Sequence, residues 1–381
     1  MATMMKTDED RMILEMVRTI ARERVAPRAA EIDDKGEFPW DMKHLLAEQG
    51  ILGMPFEEKY GGMGSSEVLM LEVIEELAKQ CATTSLLLCV QQLGSLPIKL
   101  AGTEEQKQRY FPRLATGEWL AAFGLTEPGS GSDAAAMQTR AERRGDTYVL
   151  NGLKHFITNA GVAHVNVIFA KTDMEASGTR GISAFIVEGD RPGFRLGRVE
   201  HKMGIRGSQT GELVMEDCVI PAENLLGREG EGFKLAMATL DRTRPGVGAQ
   251  ALGIAQGALD VAVKYSKERV QFGKPIAENQ GIQFMLADMA TEVEAARQLL
   301  HYAARMIDEG TPGFGRASAM AKLFASDMAM KVTGDAVQIL GGYGYMKEFP
   351  VERMMRDAKI CQIYEGTNQI QRVVIARDLL R

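Results

Sequence analysis

Two segments of this 381-residue sequence combine residue types and spacings suited to chemistry. The first runs from Ile363 to Gln371, IYEGTNQIQ, just ahead of the apolar-periodic stretch RVVIARDLL. Thr367 or Asn368 is a good helix N-cap, so Glu365 falls on a turn before the helix, where Gly366 can bend the chain. Ile363, Tyr364 and Ile370 can strip water from that carboxylate, raising its pKa and strengthening it as a base, while the helix N-terminus opposes the shift. Read locally, a structural capping glutamate competes with a catalytic one. The second segment, Phe123 to Asp133 (FGLTEPGSGSD), sets Thr126, Ser130 and Ser132 among Gly124, Gly129 and Gly131. Backbone N–H groups of such a loop approach an anionic or polar cofactor closely, and the hydroxyls add directed hydrogen bonds. Taken alone, it is equally a plain connecting loop.

Other chemistries find little support. The five histidines (His44, His155, His164, His201, His301) show no metal-ligand spacing, so no metal site is expected. There is no Walker A loop and no G-x-S-x-G elbow, and the GGMG at 61–64 follows no strand that would make it a dinucleotide turn. Cys81, Cys89, Cys218 and Cys361 lie far apart without C-x-x-C spacing, which suits a reducing compartment. A net charge of -6 argues against general affinity for nucleic acid or anionic membranes. No apolar run reaches the roughly 20 residues of a transmembrane helix, and MATMMKTDED has neither a signal-peptide nor a transit-peptide pattern.

With 45% hydrophobic residues, the chain can bury a large core in two or three domains. A capping-box-like start at Thr7 and Asp10 precedes Ile13, Val17, Ile20 and Ala21 on one helical face, and Pro27 falls near that helix's end. Further helices are expected at about 40–49, at 66–79 after Ser65-Ser66, and at 103–115, where Thr103 and Gln106 repeat the cap signal. Residues 84–100 are apolar almost all round and predict a buried helix. After Thr116-Gly117 the pattern becomes short strands, TYVLNG, KHFITN, VNVIFA, ISAFIVEG and GELVMEDCVI, with Arg144-Gly145-Asp146 as a turn. Helical periodicity returns at 232–268, 279–309, 316–340 and 367–380. The expected fold is α+β: an N-terminal helical domain (1–117), a central β domain (118–228) and a C-terminal helical bundle (229–381).

Three further blocks, DRTR at 241–244, RVQFGKP at 269–275 and QILGGYG at 338–344, join the first two segments in a fixed order. Together with TEPGSGSD and RDAKICQIYEGTNQIQ they resemble the FAD-dependent acyl-CoA dehydrogenase family, and the resemblance spans essentially the whole chain. It implies FAD between the β domain and the C-terminal helices. Phe123, Leu125, Thr126 and Ser132 would face the flavin, with Ser132 also touching substrate. Phe156, Ile157 and Thr158 match the family's flavin-stacking Trp-Ile-Thr; phenylalanine keeps the ring but loses the indole N–H. Arg269, Phe272, Gln280, Gln338, Gly341 and Gly342 would hold the adenosine diphosphate half, partly across a subunit boundary. Thr367 and Gln369 would contact the flavin from the pre-helical turn, beside Asn368, where serine is also common. Asp241, Arg244 and Gly366 would lie on the substrate side.

The same resemblance makes Glu365 the base that removes the α-proton of an acyl-CoA thioester, with the flavin taking the β-hydride to give a trans-2-enoyl-CoA. A family variant carries its base on the long C-terminal helix instead; here that position is Thr243 in D-R-T-R, which is no carboxylate. The 84–97 stretch, which would line the acyl pocket, contains no arginine for a second carboxylate, and Gln91 and Gln92 either narrow it or face away. Short, medium, branched and alicyclic acyl groups stay open. The resemblance also implies a homotetramer, electron-transferring flavoprotein as acceptor, and a bacterial cytoplasmic setting, or the mitochondrial matrix for a processed eukaryotic chain. An acyl-CoA oxidase or enoyl-CoA reductase on the same scaffold is the near competitor, and a flavin-free CoA-binding scaffold the distant one.

Overall fold

The computed structural model describes residues 7–380, so the MATMMK start and the final arginine lie outside the described residues. Six helices come first: α1 (Asp8–Ile20), α2 (Ala29–Lys35), α3 (Trp40–Glu48), α4 (Glu67–Ala78), α5 (Ala82–Ala101) and α6 (Glu104–Ala115). Complete capping boxes start α1 at Thr7 and α6 at Thr103, and the Ser66 hydroxyl accepts from Leu69 N at the head of α4. Pro27 does not end the first helical run. A π-turn over Ala21–Val25 loosens the hydrogen-bond ladder, Pro27 sits in the short 3-10 turn Ala26–Arg28 that follows, and α2 continues to Gly36. Proline is tolerated there because its missing N–H falls where the regular ladder is already interrupted.

The strands are β1 (Ala121–Gly124), β2 (Arg140–Arg144), β3 (Thr147–Thr158), β4 (Val165–Lys171), β5 (Ile182–Glu188), β6 (Phe194–Val199), β7 (Thr210–Pro221) and β8 (Leu225–Leu226). They form one sheet in the order β6-β7-β3-β2-β4-β5-β8, with β1 parallel to β4. TYVLNG and KHFITN are one strand rather than two. The register of β3 against β7 slips between Lys154 and Ile157, and within that slip Phe156 adopts a φ of 57°. A bulge re-aims side chains: Phe156 is 60% exposed while Ile157 is buried in the sheet core.

The C-terminal elements are α7 (Gly232–Glu268), the β9–β10 hairpin (Val270–Gln271 and Lys274–Pro275), α8 (Gln280–Asp308), α9 (Phe314–Leu340), α10 (Val351–Ile360) and α11 (Asn368–Leu379). Residues of α1, α4 and α5 share one hydrophobic cluster with residues of α7, α8, α9 and α10. The two helical regions therefore share a core, while the sheet builds two smaller ones. Helix α7 is, among the described residues, the one helix long and apolar enough to cross a bilayer, contrary to the run-length expectation, and 78% of that stretch is buried in the protein. The chain is thus a helical region, a β-sheet region and a second helical region, as the periodicities imply.

Helix and sheet approach closely where Gly94 of α5 faces β1: an added Cβ would lie 2.7 Å from both Ala121 Cβ and Ala122 N. Gly94→Ala is expected to lower the unfolding free energy by about 1–3 kcal/mol through overpacking. The denaturant midpoint measures it, and an unchanged midpoint would mean that α5 can lift freely.

Candidate active site

Three chain regions converge on Glu365. Thr367 caps α11 through its hydroxyl, which accepts from Ile370 N, so the two residues ahead of it form the turn. Both are left-handed, Glu365 at φ 51° and Gly366 at φ 90°. The Thr243 hydroxyl, from α7, donates to Glu365 Oε2 at 2.6 Å. One residue on, Arg244 is buried, donates to Asp241 Oδ1 at 2.5 Å, and leaves its Nε without a partner. The Lys322 ammonium, from α9, donates to Gly366 O at 2.8 Å and Asn368 Oδ1 at 2.9 Å. Burial raises the Glu365 pKa above the ordinary carboxylate range, against the pull of the Thr243 hydroxyl, Arg244 and Lys322. The Glu365 N–H makes no backbone hydrogen bond among the described residues.

Thr243 and Lys322 are the partners that sequence reasoning missed. Thr243 entered only as a position unable to be a base, yet it touches the carboxylate. The signal for Lys322 was a lysine set among Ala317, Ala321, Ala325 and Ala329 on a buried face, where a lone charge calls for a purpose.

Below the carboxylate, Gln250 is buried two turns along α7 from Thr243. It donates to Ala82 O at 2.9 Å and Ser85 Oγ at 3.3 Å, and its Oε1 accepts from the Tyr364 hydroxyl. Gln91 is spent elsewhere, bridging Leu114 O, Trp119 O and Ala121 N. Gln92 donates to the buried Glu67 carboxylate, which burial raises to about 8.

The glycine-rich loop is held from beneath. Glu127 accepts from Thr139 N at 3.0 Å and from Lys154 Nζ at 2.7 Å, and the same ammonium donates to Leu125 O. His155 N donates to Thr126 O at 2.8 Å, bringing the loop beside the Phe156 bulge. Phe123 packs on Phe169, Leu125 is buried, Thr126 and Thr158 are half-buried, and Ser132 is exposed. Against the expectation, the Ile157 side chain is spent on the core, leaving only its backbone for a cofactor. Among the described residues His155, Glu200 and Glu212 bring donor atoms within 4.8 Å of one another, a cluster that linear spacing did not reveal. The imidazole lies 3.2 Å from Glu212 and 3.9 Å from Glu200, a bridge between carboxylates beside the Phe156 ring.

Arg269, Gly341 and Gly342 line one groove of about 510 Å³, and the Arg269 guanidinium lies 5.3 Å from the Tyr343 ring centre. A Cβ on either glycine would meet nothing within 4 Å, and Gly341 at φ 61° needs glycine. Open backbone beside a fixed cation fits a pyrophosphate-bearing dinucleotide, and an exposed aromatic ring on a bulge fits a flat ring system. Phe272, Gln280 and Gln338 do not line that groove; Phe272 is fully exposed at the β9–β10 tip. Gln369 is exposed on the first turn of α11.

A carboxylate on a left-handed turn, a hydroxyl-bearing loop and a groove that fits a dinucleotide are the groups a flavin-dependent oxidoreductase needs. The chain matches the acyl-CoA dehydrogenase N-terminal domain over residues 7–118, the middle domain over 122–218 and the C-terminal domain over 230–380. It is 50% identical to a protein named acyl-CoA dehydrogenase, short-chain specific, of Clostridium acetobutylicum, covering 98% of this chain and 99% of that one. It is 52% identical to cyclohex-1-ene-1-carbonyl-CoA dehydrogenase of Geobacter metallireducens over 98% of each. The solved structure of butyryl-CoA dehydrogenase from Megasphaera elsdenii superposes with a TM-score of 0.97 at 50% identity, covering both chains completely. The chain belongs to the acyl-CoA dehydrogenase family, and as such is an FAD-dependent oxidoreductase of acyl-CoA thioesters.

Proposed function

We propose that Glu365 is the base that removes the α-proton of a short-chain acyl-CoA. The observation carrying this reading is the half-buried carboxylate held by the Thr243 hydroxyl on a left-handed turn, with its pKa raised by desolvation. Raised basicity suits abstraction of a weakly acidic C–H proton at neutral pH. The free Glu365 N–H is a donor for the thioester carbonyl, which must be polarised before that proton becomes acidic. The unpartnered Arg244 Nε offers a second buried donor on the substrate side, and Asp241 fixes that guanidinium. FAD, when bound, supplies the acceptor for the β-hydride. Phe123, Thr126, Ser132, Phe156, Thr158, Thr367 and Gln369 would hold its flavin half. Arg269, Gly341 and Gly342 would hold its diphosphate half, with Phe272, Gln280 and Gln338 free to reach the same cofactor in a partner subunit of a homotetramer.

The short-chain reading is supported by the relatives, one named short-chain specific and one solved as a butyryl-CoA dehydrogenase, each 50% identical to this chain. A screen of acyl-CoA thioesters for flavin bleaching tests the reading. Four-carbon to six-carbon substrates are expected to bleach fastest and long chains at least ~10-fold slower, since each buried methylene without room forfeits its transfer energy. Equal bleaching by long chains would overturn the length assignment. Electron-transferring flavoprotein in the cytoplasm is the proposed acceptor; fast turnover with oxygen alone would instead favour an acyl-CoA oxidase.

A further inference from the structure

We propose that Lys322 is a positioning residue for the dehydrogenation, its ammonium clamping Gly366 O and the Asn368 side chain so that the turn keeps Glu365 aimed. This rests on Glu365 being the base. Lys322 is fully buried on α9, on a face otherwise built of alanine and serine. Among the described residues it has no carboxylate within 4 Å, and both its acceptors belong to the catalytic segment: Gly366 O at 2.8 Å and Asn368 Oδ1 at 2.9 Å. A buried charge is costly unless satisfied, and a neutral residue would pack that alanine face without the cost.

The turn needs holding. Left-handed backbone at a non-glycine residue such as Glu365 persists only where the surroundings over-determine it. Gln371 Nε2 supplies the neutral half of the clamp, donating to Glu365 O at 3.2 Å and Gly366 O at 2.8 Å. Lys322 supplies the charged half, the stronger kind of donor. Asn368 is locked in turn, donating to Asp327 Oδ1 at 2.7 Å and accepting from Ser326 Oγ at 3.1 Å. The charged or titratable groups around Lys322 are Glu365 on the turn, Cys361 after α10, Arg244 on α7 and Asp327 on α9. Burial brings the ammonium down to about 8, against the attraction of Cys361 and Glu365. Above that pH the clamp loses its charge and weakens.

The test is anaerobic single-turnover flavin reduction by acyl-CoA across pH 6–10, with wild type, Lys322→Met and Glu365→Gln holoenzymes side by side. Lys322→Met is expected to keep its FAD and its acyl-CoA Kd, to reduce flavin roughly 10–100-fold more slowly from misplacement of the base, and to lack the alkaline decline expected of wild type. Its acid limb is expected to move to higher pH, since a cation near Glu365 is gone. A fully flavinated Lys322→Met with the wild-type rate, or with the alkaline limb intact, overturns the inference. If Glu365→Gln also reduces flavin normally, it is the base assignment that has failed. Should Lys322→Met not fold, hydrogen exchange on wild type decides. Residues 361–371 are expected to lose protection above pH 8 relative to residues 84–97, and parallel behaviour of the two segments overturns the clamp.

Discussion

Glu365→Gln is expected to retain FAD and bind acyl-CoA while slowing α-proton abstraction by roughly 10²–10⁴-fold, the range that a positioned general base contributes. The amide has the shape of the carboxylate but no useful basicity. Its oxygen can still accept from the Thr243 hydroxyl, and the Lys322 and Gln371 contacts are to backbone atoms and Asn368, so the turn survives. Single-turnover flavin reduction measures the loss, and a variant within a few-fold of wild type would remove Glu365 from the mechanism. The pH profile gives an independent reading. A base acts only when ionised, so under this assignment the wild-type rate is expected to fall as pH drops through a Glu365 pKa that burial has lifted above the carboxylate norm. Thr243→Val deletes a donor that favours the anion, so its acid limb moves to higher pH. A limb that stays in place would show that the 2.6 Å contact has no influence on the titration.

The sequence made the carboxylate visible but hid its partners, because the signals differ in range. Thr7 with Asp10 and Thr103 with Gln106 are local pairs, so the helix starts they form are legible from four residues. The β6 strand FRLGRV escaped notice because exposed arginines and a glycine interrupt its alternation, although β7 supplies its hydrogen bonds. Helix α10 went unread since its VERMMRDAKI buries only Val351, Met354, Asp357 and Ala358. The exposure of Phe156 depends on where β3 slips against β7, a register that neither strand carries alone. Thr243 lies within α7 and Glu365 on the turn between α10 and α11, and only the packing of α7 against that turn brings a hydroxyl to the carboxylate.

The loop that would face the flavin hangs on one buried ion pair, and breaking it from one side is expected to be severe. Lys154 is fully buried and Glu127 nearly so, 2.7 Å apart. Burial pulls the Lys154 ammonium down to about 8. Burial also pushes the Glu127 carboxyl up, but the Lys154 charge and the Gln138 N–H outweigh it and leave its pKa below normal. Both groups are thus charged at neutral pH. The part of the stability due to Glu127 is present above the unfolded carboxylate pKa and lost as pH falls through the lowered folded value. Lys154→Met would strand a buried carboxylate, and removing one partner of such a pair costs about 3–5 kcal/mol. The same change frees Leu125 O and the neighbouring Thr126, so FAD content in the purified protein should fall with stability. The double variant Lys154→Met with Glu127→Gln removes the stranded charge and should recover most of the lost stability, since buried pairs are weak net stabilisers. FAD retention should recover less, because Glu127 also accepts from Thr139 N and the ammonium alone reaches Leu125 O. Denaturant midpoints and flavin absorbance read the two effects separately. A Lys154→Met protein with an unchanged midpoint would show that Glu127 finds water or a proton without the lysine, and the loop would then owe its shape to its own turns.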